Sequence, residues 1–327
     1  MSVSIINPTV IAGPAYIGTG GVIIYVEKDI QVEDVAESWN PKTTFGDAGE
    51  RHKSRLFRLT FKPVGMLTSG LLNYFYEAHL APSTYIGQSI FPASNQTVTI
   101  YSVSENKTYG FEQGGIEAPP DLTCTPTQTL FGSMKLVCIG AKGVSPTNAT
   151  FIKQAVGSSF TADTSFDYSK IKTDIYNGAL GSLSTPYSAL GAMAGWQIKF
   201  GYKTKTIASS DVGIADIHLE SDGFNIQVTF APSNLTEAQV DTLMGYQGTN
   251  AVLPGQAYAN SAESGDLVLT GQVLGWTFTA KQLGAKSAKR VYAIGEHRFP
   301  NGAIQMVNAM SQTAGVPNAL FAFSAGS

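Results

Sequence analysis

The sequence predicts a mainly β protein, built as two tandem β-sandwich or barrel-like domains with one flanking α-helix each. Three observations carry this. In Arg55–Pro63 the apolar Phe57, Leu59 and Phe61 alternate with Arg58, Thr60 and Lys62, the period-two pattern of a strand with one buried and one wet face. Pro63 stops that strand, and Leu67, Leu71, Leu72 and Phe75 then share one side of a helix that packs back on it. The unit recurs 169 residues on, from Phe61 to Phe230: Gly223–Pro232 repeats the alternation and the Thr-Phe-x-Pro ending, and Asn234–Met244 supplies the helix. Composition is the third observation. Charged residues make up 14% of the chain, with 34 glycines and 10% aromatics, against about 25% charged in a typical domain. That profile suits a β-rich chain that commits much of its surface to partners.

The repeat extends downstream. Gly87-Gln88 matches Gly255-Gln256 at an offset of 168, and Val98–Ile100 matches Leu267–Leu269 at 169. Lys135–Gly140 is then matched to Arg290–Gly295 at 155, which places an insertion of 14 residues in the first copy. A chain of 327 residues accommodates two units of roughly 100–200 residues, each able to bury its own core.

Taken in order, residues 1–21 are punctuated by Gly and Pro and read as an N-terminal arm. Residues 22–152 form the first domain, opening on the strand Val22–Val26. The following stretch, Glu27–Arg51, is interrupted by charges, Trp39, Asn40-Pro41 and Gly46, and reads as a long loop or loose hairpin. A loop of about 20 residues inside a compact domain is uncommon unless it has a role. Glu33, Asp34, Glu37, Trp39, Phe45 and Arg51 are therefore the candidate interface residues, the carboxylates being either solvated or met by basic groups of another subunit. Strands are expected at Thr84–Phe91, Thr97–Val103 and Met134–Ile139, with an extended hairpin or arm over Ser104–Gly132. Residues 153–194, rich in Gly, Ser, Thr and Ala, form a linker.

The second domain covers 195–307. Trp196–Tyr202 takes the part of Val22–Val26 and is followed by a loop shorter than its counterpart. Ile214–Leu219 and Phe224–Phe230 flank Asp222-Gly223, a hairpin signal. Glu237, three residues after Asn234, makes a capping box for the second helix. Leu267–Thr270, Val273–Thr279 and Arg290–Ile294 complete the sheet, and 308–327 form an apolar C-terminal arm of small residues.

The chain carries no motif for catalysis, so it reads as a non-enzyme without cofactor or metal. His52, His79, His218 and His297 each stand apart from any other His or Cys at metal-ligand spacing, and read as satisfied surface or core histidines. Gly18–Gly21 precedes a strand instead of opening a helix, and Gly284–Ser287 has alanine where a phosphate-binding loop needs glycine. A net charge of −3, with basic clusters only at Arg51–Arg58 and Lys281–Arg290, argues against a nucleic-acid-binding face. Cys124 and Cys138 permit one disulfide without implying it. The first residues lack the basic and apolar regions of a secretory signal. The run Val22–Val26 is far short of the roughly 20 apolar residues that span a bilayer.

The order of strand, long loop, strand ending in Thr-Phe-x-Pro, helix and closing strands, present over about 22–152 and again over 195–307, resembles the tail tube proteins of tailed bacteriophages. What the resemblance implies is a β-sandwich flanked by a helix, trimers closing into pseudo-hexameric rings, and rings stacked through the long loop. It also implies a lumen that viral DNA crosses as a non-specific passenger. The partners would be the chain itself and other tail proteins, and the location the virion tail after assembly in the host cytoplasm. Two alternatives stand beside it. One is a distal tail or baseplate ring protein that stops at one ring. The other is a carbohydrate-binding, adhesin-like sandwich using aromatics such as Tyr168, Tyr176 and Tyr187.

Overall fold

The computed structural model describes residues 3–6, 8–35, 38–39, 42–44, 46–47, 51–52, 56–65, 67–91, 96–124, 131–140, 152–156, 179–180, 196–201, 203–209, 213–220, 224–230, 267–273, 276–282, 288–292, 304–308 and 321–325. It is mainly β. The chain begins with β1 (Val3–Ile6), β2 (Val10–Ile11), β3 (Ala15–Thr19), β4 (Val22–Val26) and β5 (Ile30–Asp34), then the two-residue strands β6 (Ser38–Trp39), β7 (Lys42–Thr43), β8 (Gly46–Asp47) and β9 (Arg51–His52). Next come β10 (Leu56–Phe61), β11 (Pro63–Val64), α1 (Ser69–Leu80), α2 (Pro82–Tyr85), β12 (Val98–Ser102), β13 (Lys107–Phe111), β14 (Gln113–Ala118), β15 (Leu122–Cys124), β16 (Met134–Ile139) and β17 (Ile152–Val156). The second half holds β18 (Ala179–Leu180), β19 (Trp196–Gly201), β20 (Thr204–Ser209), β21 (Gly213–Leu219), β22 (Asn225–Phe230), β23 (Leu267–Val273), β24 (Trp276–Gln282), β25 (Ala288–Tyr292), β26 (Ile304–Asn308) and β27 (Phe321–Ala325).

Two sheets form the first half. One is seven-stranded, in the order β1-β17-β13-β12-β3-β4-β11, and one five-stranded, β14-β16-β10-β5-β2. The alternation Phe57, Leu59, Phe61 buries in β10 as its period requires, while Arg58 and Thr60 stay half-exposed. The chain leaves β10 at Lys62 and enters the other sheet at its edge, where Pro63 lacks only a hydrogen bond that an edge strand does not need. Gly20-Gly21, both with positive φ (54° and 78°), close the β3–β4 hairpin between Thr19 and Val22. This is the two-residue turn that glycine pairs favour.

α1 begins at Thr68, whose hydroxyl accepts from the Leu71 amide at 3.2 Å, a side-chain N-cap. It ends before Pro82, which starts α2 instead of extending it. The sequence pattern predicts one buried face. The helix in fact buries two, because Leu71, Leu72 and Phe75 are joined by Tyr76 and His79. Tyr76 packs on Phe200 (ring centroids 4.2 Å) and Phe321 (5.3 Å), both from the second half. Its hydroxyl donates to the Pro120 carbonyl at 2.9 Å. His79 lies edge-on to Phe200 and Phe224, with Nε2 3.2 Å from the Gly201 carbonyl. The buried residues accordingly form one cluster that runs from Ile11 through α1 to Phe278 and Phe321, in place of two separate cores. Each fully buried Leu or Phe contributes about 1.5–3 kcal/mol.

Several expectations are corrected. Residues 10–19 are strands β2 and β3, not an arm, and Val3–Ile6 pairs with β17 at the sheet edge. Thr84–Phe91 is not a strand: it opens as α2, and only Gly87–Ile90 then runs beside β21. Ser104–Gly132 contains β13, β14 and β15. The linker begins later than residue 153, since β17 lies inside the seven-stranded sheet. Phe321–Ala325, expected in a docking arm, pairs with β24 of its own chain. The predicted helix Asn234–Met244 lies outside the described residues.

The second half repeats the strand order of the first, but not in the correspondence read from sequence. Its five-stranded sheet runs β15-β19-β22-β26-β25 and its four-stranded sheet β18-β23-β24-β27. Reversed, β14-β16-β10-β5-β2 becomes β2-β5-β10-β16-β14, which matches β15-β19-β22-β26-β25 strand for strand with chain order preserved. The run β3-β12-β13-β17 likewise matches β18-β23-β24-β27. The counterpart of Trp196–Gly201 is thus Ile30–Asp34, not Val22–Val26. The counterpart of β16 is Ile304–Asn308, with Phe61 opposite Met134 as Phe230 is opposite Ile304. Met134 and Ile304 differ by 170 residues, so the inferred 14-residue insertion disappears. Cross-strand rows agree: Val10, Gln31, Thr60 and Lys135 stand in one row, and Thr123, Gln197, Thr229 and Gln305 in the other.

Candidate assembly interface

The long loop joins β5 to β10, and its counterpart joins β19 to β22. The two connections are nearly equal, 21 residues (35–55) and 23 (202–224), so the second is not the shorter one. Both are hairpin ribbons. In the first, Ser38 and Trp39 pair with His52 and Arg51, and Lys42 and Thr43 with Asp47 and Gly46, so the register slips by one residue on the return strand. In the second, Thr204–Ile207 pair with Leu219–Asp216 and Ala208–Ser209 with Ile214 and Gly213, again with one extra residue on the return strand. Each ribbon closes on a glycine, Gly46 or Gly213.

Their surroundings differ. The return strand β21 of the second ribbon lies on Gly87–Ile90 of the first half. Gly87 N donates to Leu219 O (2.8 Å), Leu219 N to Gln88 O (3.0 Å) and Ile90 N to Ile217 O (2.8 Å). Ile217 and Leu219 are buried beneath it. Asp216 fixes the contact from the side, accepting from the Ser89 hydroxyl at 2.5 Å and lying 3.0 Å from His218 Nε2. This hairpin thereby becomes three-stranded, as small sheets require for stability. Among the described residues the first ribbon has only its own two-stranded pairings, β6 with β9 and β7 with β8.

The predicted interface residues fall along that first ribbon. Trp39 and Arg51 are paired strand residues across it. Glu37 and Phe45 lie outside the described residues. Glu33 and Asp34 close β5 at the base, opposite Arg58 and Phe57. Glu33 reaches Arg58 of its own chain at 2.9 Å, and Arg58 also grips Glu117 with Nε at 2.5 Å and NH2 at 2.7 Å. Glu117 is the bulge residue where the β14–β16 register shifts. The bidentate bond to Glu117 holds the guanidinium protonated well above its ordinary range, against the cost of its partial burial. Sequence reasoning missed Arg58 and Glu117 as a pair, because a bulge residue's direction is not encoded in alternation.

Other groups are structural. Burial pushes the Cys138 thiol well up, and this cysteine is free. Burial likewise raises the Tyr74 hydroxyl and the Asp121 carboxyl. A cleft of about 90 Å³ between α1 and Gly114-Gly115 is well below the roughly 300 Å³ at which small-molecule sites begin. No cluster of three or more metal-ligating side chains occurs among the described residues. Among them, too, no helix is long and apolar enough to cross a membrane.

No family model and no curated protein matches this chain.

Proposed function

We propose that this protein is a structural, self-assembling chain whose copies close head-to-tail into rings that stack as a tube, serving as the tail tube of a tailed phage. The observation that carries the reading is the internal repeat of both sheets together with the way one half docks on the other. The first half offers α1 and Gly87–Ile90, and the second half lays Phe200, Phe321 and its ribbon on them. This contact is heterologous, joining two different faces of two similar units. Repeated between chains, such a contact closes into a ring when its rotation permits. Each half would then be one tail-tube-like domain, and a ring would hold twice as many units as chains. The strands at the chain ends cover edges of their own sheets, at β1, β2 and β27, which shields those edges from non-specific pairing. They leave the first ribbon as the projecting element.

Negative-stain microscopy of concentrated protein tests this. Hollow stacked rings are expected. Single rings that do not stack would move the assignment to a tail-end ring component, and a strict monomer would overturn self-assembly. A carbohydrate-binding sandwich is the second reading, favoured by one feature. Tyr101, Tyr16 and Tyr25 form a half-exposed aromatic row across β12, β3 and β4, with centroids 6.2 and 5.2 Å apart. Glycan binding by the isolated monomer would support it.

A further inference from the structure

We infer that the first ribbon, β6–β9, is a lateral contact: its return strand pairs with the second half of a neighbouring copy, as β21 pairs with Gly87–Ile90 within the chain. This rests on the self-assembly reading and alters it in one respect, since the sequence-based resemblance assigns the long loop to stacking between rings.

Three observations lead to it. First, the ribbons are the same element, because they join equivalent strands, have nearly equal length and carry the same register slip on the return strand. Second, one of them shows how such a ribbon is used. The return strand keeps β20 on one edge and takes the segment after α1 on the other, through backbone hydrogen bonds of 2.8–3.0 Å. Backbone pairing of this kind does not depend on matching side chains, so it can recur between units that differ in sequence. Third, the docking edge is already taken at home. Gly87–Ile90 is occupied by β21, and a two-stranded ribbon is marginal alone in water. The unit that presents the equivalent face is a second half, and the second half of the same chain lies on the opposite side of the internal contact. A second copy therefore supplies the partner. The extra pairing falls on Gly46–Asp47 and Arg51–His52, the counterparts of β21.

Thr44, exposed in the turn at the ribbon's end, is the probe position. Benzoylphenylalanine would replace it in the full chain, with irradiation both at a concentration that yields only the smallest oligomer and in stacked assemblies. The expected products are intermolecular cross-links into residues 196–308, already present in the smallest oligomer. Replacing residues 40–50 by a Gly-Gly turn should weaken self-association by about tenfold or more, the worth of two or three lost backbone hydrogen bonds. A melting temperature near that of the parent would show that this variant folds. Cross-links confined to the probe's own chain, directed to another copy's first half, or appearing only in stacked assemblies would overturn the lateral assignment while leaving self-assembly intact. A protein that stays monomeric at every concentration would overturn both.

Discussion

The two five-stranded sheets share strand order and register, yet the rows that cross them at one level differ in chemistry. In the first half the row is Glu33, Arg58, Val137 and Gly115. In the second it is Lys199, Gln227, Val307 and Lys289. The first row carries a charge clamp at the root of the ribbon and a glycine beneath a crossing chain. The second has neither the arginine nor the glycine. What the sheets keep in common is the backbone plan, and what they vary is how each ribbon's base is held and where its return strand rests. The difference teaches that equivalent scaffolds in one chain have been given unequal contacts, one satisfied internally and one left for a partner.

The contact between the halves breaks most easily at α1. Tyr76→Ala removes a buried ring from Phe200 and Phe321 and leaves the Pro120 carbonyl without its hydroxyl. A loss of about 3–5 kcal/mol is expected in urea unfolding. An unchanged midpoint would show that the halves do not depend on one another through this helix.

Gly115→Ala asks whether the first half is specialised to receive the second ribbon. A Cβ at Gly115 would overlap the backbone carbonyl of Ile90, the residue whose amide bonds Ile217. The expected cost is about 2–3 kcal/mol, since neither backbone can yield cheaply. The counterpart position, Lys289, carries a long side chain, so Lys289→Ala should cost far less. Equal costs at the two positions would contradict the specialisation.

The clamp is a smaller effect. Arg58→Gln restores in the first half the residue that the second half has at Gln227. It should cost about 2 kcal/mol, because Glu117 loses two charge-assisted hydrogen bonds in a site where its side chain is only 15% exposed. If denaturation shows no change, the second sheet's uncharged solution serves the first equally well.

The smallest expected effect lies at the seam. Burial raises the Asp121 carboxyl above its ordinary value, opposed by the Phe200 backbone and Lys199. A carboxyl with a folded-state pKa above its unfolded one favours folding in its protonated form. Its contribution is therefore fully present below the unfolded pKa and is lost as pH rises through the folded pKa. Asp121→Asn should remove that segment of the pH–stability curve without lowering stability at neutral pH. A variant that keeps the wild-type slope in acid would assign the dependence elsewhere.

Much of this plan was legible in the chain. Phe57, Leu59 and Phe61 announced β10, Leu71 and Phe75 announced α1, and the second Thr-Phe-x-Pro announced β22, because local periodicity reports burial directly. Pairing was not legible. Arg290–Ile294 and Ile304–Asn308 both read as closing strands, and only hydrogen-bond register shows that the latter lies beside β22. Residues 10–19 were hidden by Gly13-Pro14, which looks like arm composition. The backbone there turns tightly against Lys28 between two strands. The second face of α1 was missed because Tyr76 and His79 have polar ends, which α1 buries against Pro120 and Gly201. At the candidate interface, Trp39 and Arg51 were found by loop length alone, whereas the likeness of the two ribbons needed the strand order.

The most direct measurement is the rotational symmetry of assembled particles seen end-on by electron microscopy. Two units per chain joined by equivalent lateral contacts predict rings with twice as many lobes as chains, alternating in outline because the two halves differ, with six lobes for a trimer. Rings whose lobes equal the number of chains, or particles that never close, would contradict it.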